Sequence, residues 1–127
     1  MLLIDEIVSQ EADRIHCRKT FSADDFFVQG HFPGFPLVPG VILCECSLQS
    51  GAILLAARGG ADPNAVPVAT RLDGVKFKRM VRPGDTIDIE VTLNEVISNA
   101  AFLTGKVTVD GKLAARLDFA CATAQPE

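Results

Sequence analysis

The apolar positions change period near the middle of the chain. Early on, residues 14–21 (RIHCRKTF) set Ile15, Cys17, Lys19 and Phe21 against Arg14, His16, Arg18 and Thr20, the alternation of a half-exposed strand. Leu2 to Val8 is apolar enough for a further strand or a short packed segment. Residues 26–40 (FFVQGHFPGFPLVPG) hold three prolines and three glycines, so they predict a loop held to a set path, because proline fixes φ and removes donors. After Pro39-Gly40 an apolar run predicts a helix over 41–58, closed by Gly59-Gly60. That helix is apolar nearly all round, which predicts burial. The second half returns to strand periodicity over 66–78, 86–95, 101–109 and 112–121. Asp110-Gly111 between the last two is a strong two-residue hairpin signal. The expected product is one α+β domain over 1–127, a buried helix followed by an antiparallel meander.

Composition narrows the class. The chain has 127 residues, 48% hydrophobic and 22% charged, enough to build a core without staples. A net charge of -4 argues against nucleic acid as the main partner. Cys17, Cys44, Cys46 and Cys121 have neither metal-ligand nor disulfide spacing and read as buried free thiols. The start reaches Asp5 and Glu6 with no basic region before them, so no signal peptide is expected. The apolar run at 41–57 is interrupted by Glu45, Ser47, Gln49 and Ser50 and reads as too short for a membrane span. These readings predict a cytoplasmic chain.

Glu45 is the residue that needs an explanation, a carboxylate among Ile42, Leu43, Cys44, Cys46 and Leu48. Such a group is almost never fully buried unless paired. It either satisfies a buried donor and fixes packing, or it does chemistry. Gln49, four residues on, shares its helix face and makes a polar stripe. His31 lies just ahead, and a histidine beside a carboxylate is the usual acid–base pair at neutral pH. Gly40 opens the helix, where backbone N–H groups at the positive dipole end can hold a carbonyl oxygen as charge develops on it. Base, acid and oxyanion donor are the parts needed to abstract a proton next to a carbonyl and expel a β-hydroxyl.

Residues 30–49 (GHFPGFPLVPGVILCECSLQ) closely resemble the signature of the FabZ-type 3-hydroxyacyl-acyl carrier protein dehydratases, in residue types and in the His-to-Glu spacing. The resemblance continues through residues 75–85 (VKFKRMVRPGD) and through GKVTVDGKLAARLDFACA, covering nearly the whole chain. It implies a hotdog fold, an antiparallel sheet wrapped around one long helix. It also implies dimers with shared active sites, His31 of one subunit facing Glu45 of the other, in some members assembled as trimers of dimers. By the same resemblance His31 takes the α-proton, Glu45 serves the leaving hydroxyl, the Gly40 N–H holds the thioester carbonyl and Gln49 orients Glu45. Phe32, Pro33 and Pro39 shape the loop, while Val41 and Leu43 wall an acyl tunnel. No cofactor or metal is implied, since the substrate arrives on the phosphopantetheine of acyl carrier protein.

FabA-type relatives, which also isomerise the double bond, carry Asp at the position of Glu45 and Cys at that of Val41, so simple dehydration fits better. A non-catalytic acyl-binding hotdog subunit and a hotdog thioesterase are the competing readings. Lys76, Lys78, Arg79 and Arg82 cluster in an acidic chain, either as a solvated strand edge or as a docking patch for the acidic carrier protein. Arg58 either joins that patch or complements the helix dipole. His16 reads as a surface residue rather than a ligand. Acyl length, pathway and the choice between dimer and hexamer stay open.

Overall fold

The computed structural model describes residues 2–25, 37–58 and 66–124. Six strands and one long helix make up these segments: β1 (Glu6–Gln10), β2 (Arg14–Thr20), α1 (Gly40–Ala57), β3 (Val66–Phe77), β4 (Thr86–Ile97), β5 (Ala100–Val109) and β6 (Lys112–Ala124). Gly59 and Gly60, expected to end the helix, lie outside the described residues.

All six strands join one antiparallel sheet in the order β1-β2-β4-β5-β6-β3. The expected meander holds for β4, β5 and β6 only. β4 already has β2 on one edge and β5 on the other, so β3 cannot pair with it and pairs with β6 instead. The hairpin signal at Asp110-Gly111 is met, with φ of 52° and 78°, the double positive φ that a tight two-residue turn needs.

One face of the sheet carries the core. Strict alternation in β5 points Leu103, Gly105 and Val107 inward, level with Leu93, Val91 and Ile89 of β4 and with Phe119, Leu117 and Ala115 of β6. The helix lies on this face and packs against β2 to β6. Gly105 lets it come close: a Cβ there would stand 2.9 Å from the Ser47 Cβ and Oγ. Gly105→Ala should therefore cost about 1–3 kcal/mol through overpacking, read as a lower chemical-denaturation midpoint.

The helix departs from the all-round burial that its composition predicted. Leu43, Cys44, Cys46, Ser47, Ser50, Gly51 and Leu54 are buried. Ile42, Leu48, Ile53 and Leu55 are only partly covered, and Val41 is 72% exposed. The physical reason is that one sheet covers one side of a rod. Ser47 and Ser50 tolerate burial by donating to the carbonyls of Leu43 (3.5 Å) and Cys46 (2.8 Å) one turn back. By length and composition alone the helix is long and apolar enough to cross a bilayer, a test that the core helix of a folded domain also passes. The four cysteines are buried free thiols, as expected.

The opposite face of the sheet is polar. His16 does not stand free on it. Its Nε2 lies 2.8 Å from Asp88 Oδ1, which also accepts from Arg18 Nε at 3.0 Å. Burial works against ionisation of Asp88, but the hydrogen bonds and charges of His16 and Arg18 outweigh it and hold the carboxyl below its ordinary value of 3.8. A depressed folded value stabilises the fold above the unfolded value, and that contribution is lost as pH falls through the folded one. Asp88→Asn should thus be less stable than wild type at about pH 5, with the gap shrinking as pH falls below the ordinary value of 3.8. Urea midpoints check this, and a gap that stays constant over that range contradicts it.

Candidate active site

The helix entrance is built by two segments that sequence alone does not bring together. Val38 N–H donates to the Val81 carbonyl at 2.8 Å, fastening the segment before the helix to the one that follows β3. Pro39 is the N-cap, extended at φ -59° and ψ 142°, and no side chain caps the first turn. The N–H groups there keep the dipole's positive end open to a ligand. Gly40 is pressed against the ring of Phe77 at the end of β3, and a Cβ at Gly40 would lie 2.7 Å from the ring's Cζ. Residues 37–41, Leu43 and residues 77–81 line a groove of about 520 Å³ along this junction. Pro39, Gly40, Val41 and Leu43, singled out in the sequence, all border it. Leu43 is buried, and Phe77 is 53% exposed. Nothing in the periodicity marked Phe77. The only signal was a glycine at the helix start, where close approach forbids a side chain.

Glu45 does not line this groove; it lies one turn on from Val41, along the same helix face. It is half-buried rather than buried. Gln49 donates from Nε2 to Glu45 Oε1 at 3.4 Å, while its own Oε1 accepts the Leu3 N–H at 2.7 Å. The backbone N–H of Leu3 fixes which end of the amide is the carbonyl, and so turns the NH₂ towards Glu45. The chain's start thus sets the orientation of a carboxylate 42 positions away, a link the sequence did not reveal. Neighbouring Cys46 is no competing nucleophile. Burial pushes its thiol up to about 12, against the pull of Lys19 and with the charges of Glu45 and Asp5 adding to the rise. His31, Phe32 and Pro33 lie outside the described residues.

The basic cluster divides. Lys76 pairs with Arg116 on the outward face of the sheet, opposite to Phe77. Lys78 borders the groove at the helix entrance. Arg79 borders that groove and also a second depression of about 430 Å³, which Arg82 shares. Lys112, not singled out in the sequence, stands on the wall of the second depression. Arg58 joins neither; its Nη1 donates to the Ala12 carbonyl at 3.1 Å. Among the described residues no group of three or more His, Cys, Asp or Glu side chains is placed to hold a metal.

A helix laid on an antiparallel sheet with this strand order is a hotdog fold. Solved structures share it: the dehydratase heterocomplex ApeI:P from Xenorhabdus doucetiae has a TM-score of 0.79 at 18% identity, covering 99% of this chain and 84% of that one. A thioesterase from Haemophilus influenzae has a TM-score of 0.72 at 14% identity, covering 94% and 78%. At such identities the likeness speaks for the fold alone. Sequence separates the two chemistries. The FabA-like domain family matches residues 1–118. A 3-hydroxyacyl-[acyl-carrier-protein] dehydratase FabZ of Thermomicrobium roseum is 40% identical over 127 residues, 99% of this chain and 85% of the relative. The protein of the same name from Oenococcus oeni is 39% identical over 119 residues, 93% and 85%. The chain belongs to the FabA-like family and, within it, to the FabZ-type dehydratases.

Proposed function

We propose that this chain dehydrates a (3R)-3-hydroxyacyl thioester on acyl carrier protein to the trans-2-enoyl thioester. The observation that carries the reading is the family match over nearly the whole chain, together with a carboxylate held by Gln49 beside an uncapped helix entrance. The thioester carbonyl sits at the Gly40 N–H, where the helix dipole favours the charge that builds on it. His31 removes the α-proton. The C–O bond breaks as Glu45 gives its proton to the departing hydroxyl, which leaves as water. Return of the α-proton from His31 to Glu45 resets the pair, so atoms and charges balance and no cofactor takes part. Gln49 holds Glu45 in register. Phe32, Pro33 and Pro39 shape the loop that brings His31 up, and Val41 and Leu43 wall the acyl channel.

The site is completed by a second copy of the chain. Val41 and the half-covered Ile42, Leu48, Ile53 and Leu55 of the helix support this, as do exposed Leu72, Val75 and Phe77 on edge strand β3. A homodimer covers these apolar side chains and lets His31 of one subunit meet Glu45 of the other; a trimer of such dimers extends the same contacts. The enzyme works in the cytoplasm, where acyl carrier protein delivers the substrate.

The test is to incubate purified protein with (3R)-3-hydroxyacyl-acyl carrier protein and follow products by mass spectrometry. Loss of one water with the thioester intact is the expected result. Release of free carrier thiol would establish a thioesterase instead, and unchanged substrate at every chain length would leave only an acyl-binding subunit. Mixing inactive His31→Ala and Glu45→Gln chains adds a test of the shared site. Heterodimers carry one intact site, so activity returns on subunit exchange, and no return would contradict sharing.

A further inference from the structure

We infer that Leu3 is a positioning residue for the proposed reaction: its backbone N–H, acting through Gln49, keeps the transferable proton of Glu45 on Oε2. The inference rests on the dehydratase reading for what Glu45 does, and on the following contacts for how it is held. The Leu3 N–H donates to Gln49 Oε1 at 2.7 Å, and the other end of that amide, Nε2, donates to Glu45 Oε1 at 3.4 Å. An NH₂ group offers hydrogens and accepts none. A protonated Oε1 is a poor acceptor for it, so the acid form of Glu45 carries its proton on Oε2. When that proton passes to the departing hydroxyl, the electrons of its O–H bond stay on Glu45. The charge that builds there is met at Oε1 by the same NH₂, and a hydrogen bond to a charged acceptor is the stronger kind.

The last torsion of a Gln side chain has broad wells a half-turn apart. An amide that loses the Leu3 donor can turn its carbonyl to Glu45 instead. A carbonyl in that place accepts a proton from Oε1 and draws it to the wrong oxygen. The surroundings of Leu3 hold its N–H still. Its own carbonyl accepts from Cys46 Sγ at 3.8 Å, a thiol that burial keeps protonated. Its side chain is 2% exposed. Two residues on, Asp5 fastens the segment to β2. The Asp5 N–H donates to the Arg18 carbonyl at 2.9 Å, its Oδ2 accepts the Thr20 N–H at 2.8 Å, and its Oδ1 accepts from Lys19 Nζ at 3.3 Å. The stretch ahead of β1 is thus fixed both to the helix and to β2, and the relay from it ends on Glu45.

The test measures hydration of trans-2-enoyl-acyl carrier protein, the same transition state approached from the other side, by variants of the full chain. Leu3→Pro removes the N–H. Replacing Leu3 by its α-hydroxy acid removes it too and keeps the side chain, so this ester chain decides the matter if Leu3→Pro does not fold. The hydroxy acid is introduced on a synthetic 1–16 segment joined at Cys17. Loss of the N–H is expected to lower kcat about tenfold with KM unchanged, the pattern of an interaction made in the transition state. Leu3→Ala keeps the donor; it should melt at a lower temperature yet hold kcat within about twofold of wild type. In a Gln49→Met background the ester should cost no further activity, since the relay is already cut. A packing role alone predicts the opposite, with Leu3→Ala as damaging to kcat as the ester. That result, an ester chain of full kcat, or losses that add in the double variant, overturns the inference and leaves the dehydratase reading standing on the wild type's turnover. A wild type without turnover overturns both.

Discussion

Glu45→Gln is expected to lower the hydration and dehydration rates by at least about a hundredfold while the protein remains folded. Gln has nearly the same volume and still offers a carbonyl to the Gln49 amide, so the half-buried site keeps its shape and its 3.4 Å hydrogen bond. What it loses is the ability to hand over a proton, which the proposed mechanism requires for expulsion of the hydroxyl. Assay of purified variants, with thermal melts beside it, reads both parts. The same loss in His31→Ala marks the two residues as one acid–base unit. A Glu45→Gln protein of wild-type rate would return Glu45 to the packing role that its apolar neighbours also allow.

Gly40→Ala is the second large effect. Its Cβ would lie 2.7 and 2.8 Å from the Phe77 ring carbons Cζ and Cε1, closer than real side chains approach. Either the ring or the first turn must shift, and where the turn moves, the Gly40 N–H proposed to hold the carbonyl moves with it. A displacement on the order of 1 Å at a reacting centre can cost about a hundredfold in rate, so a fall of at least about tenfold is expected. Phe77 is half-exposed, so Phe77→Ala in the same chain removes the clash at small cost and should restore part of the rate. Such non-additivity is what two groups in contact produce. An unchanged rate in Gly40→Ala would show that the carbonyl is held elsewhere.

The sequence carried the strands well because their faces differ. β5 alternates without a break, and the Asp110-Gly111 turn could take few other forms. It misled about the helix, since an apolar rod does not say how much of its cover comes from its own chain. It also missed the place of β3, because no local pattern shows that β4, the next strand in the chain, already has β2 and β5 on its two edges. In the site, Glu45 and Gln49 were legible from helical spacing. Their tether to the Leu3 N–H was not, because a backbone donor has no letter of its own. The basic cluster looked single in the sequence. Alternation along β3 turns Lys76 to the outer face, while the hairpin brings in Lys112 from 30 positions beyond Arg82.

The most direct measurement is the hydration of a trans-2-enoyl-acyl carrier protein by the purified chain, followed as loss of enoyl absorbance, with His31→Ala and Glu45→Gln alongside. Turnover by the wild type and a loss of about a hundredfold or more in both variants is the predicted result. A folded wild type that binds the acyl carrier yet hydrates no enoyl substrate, at any chain length, would contradict the account.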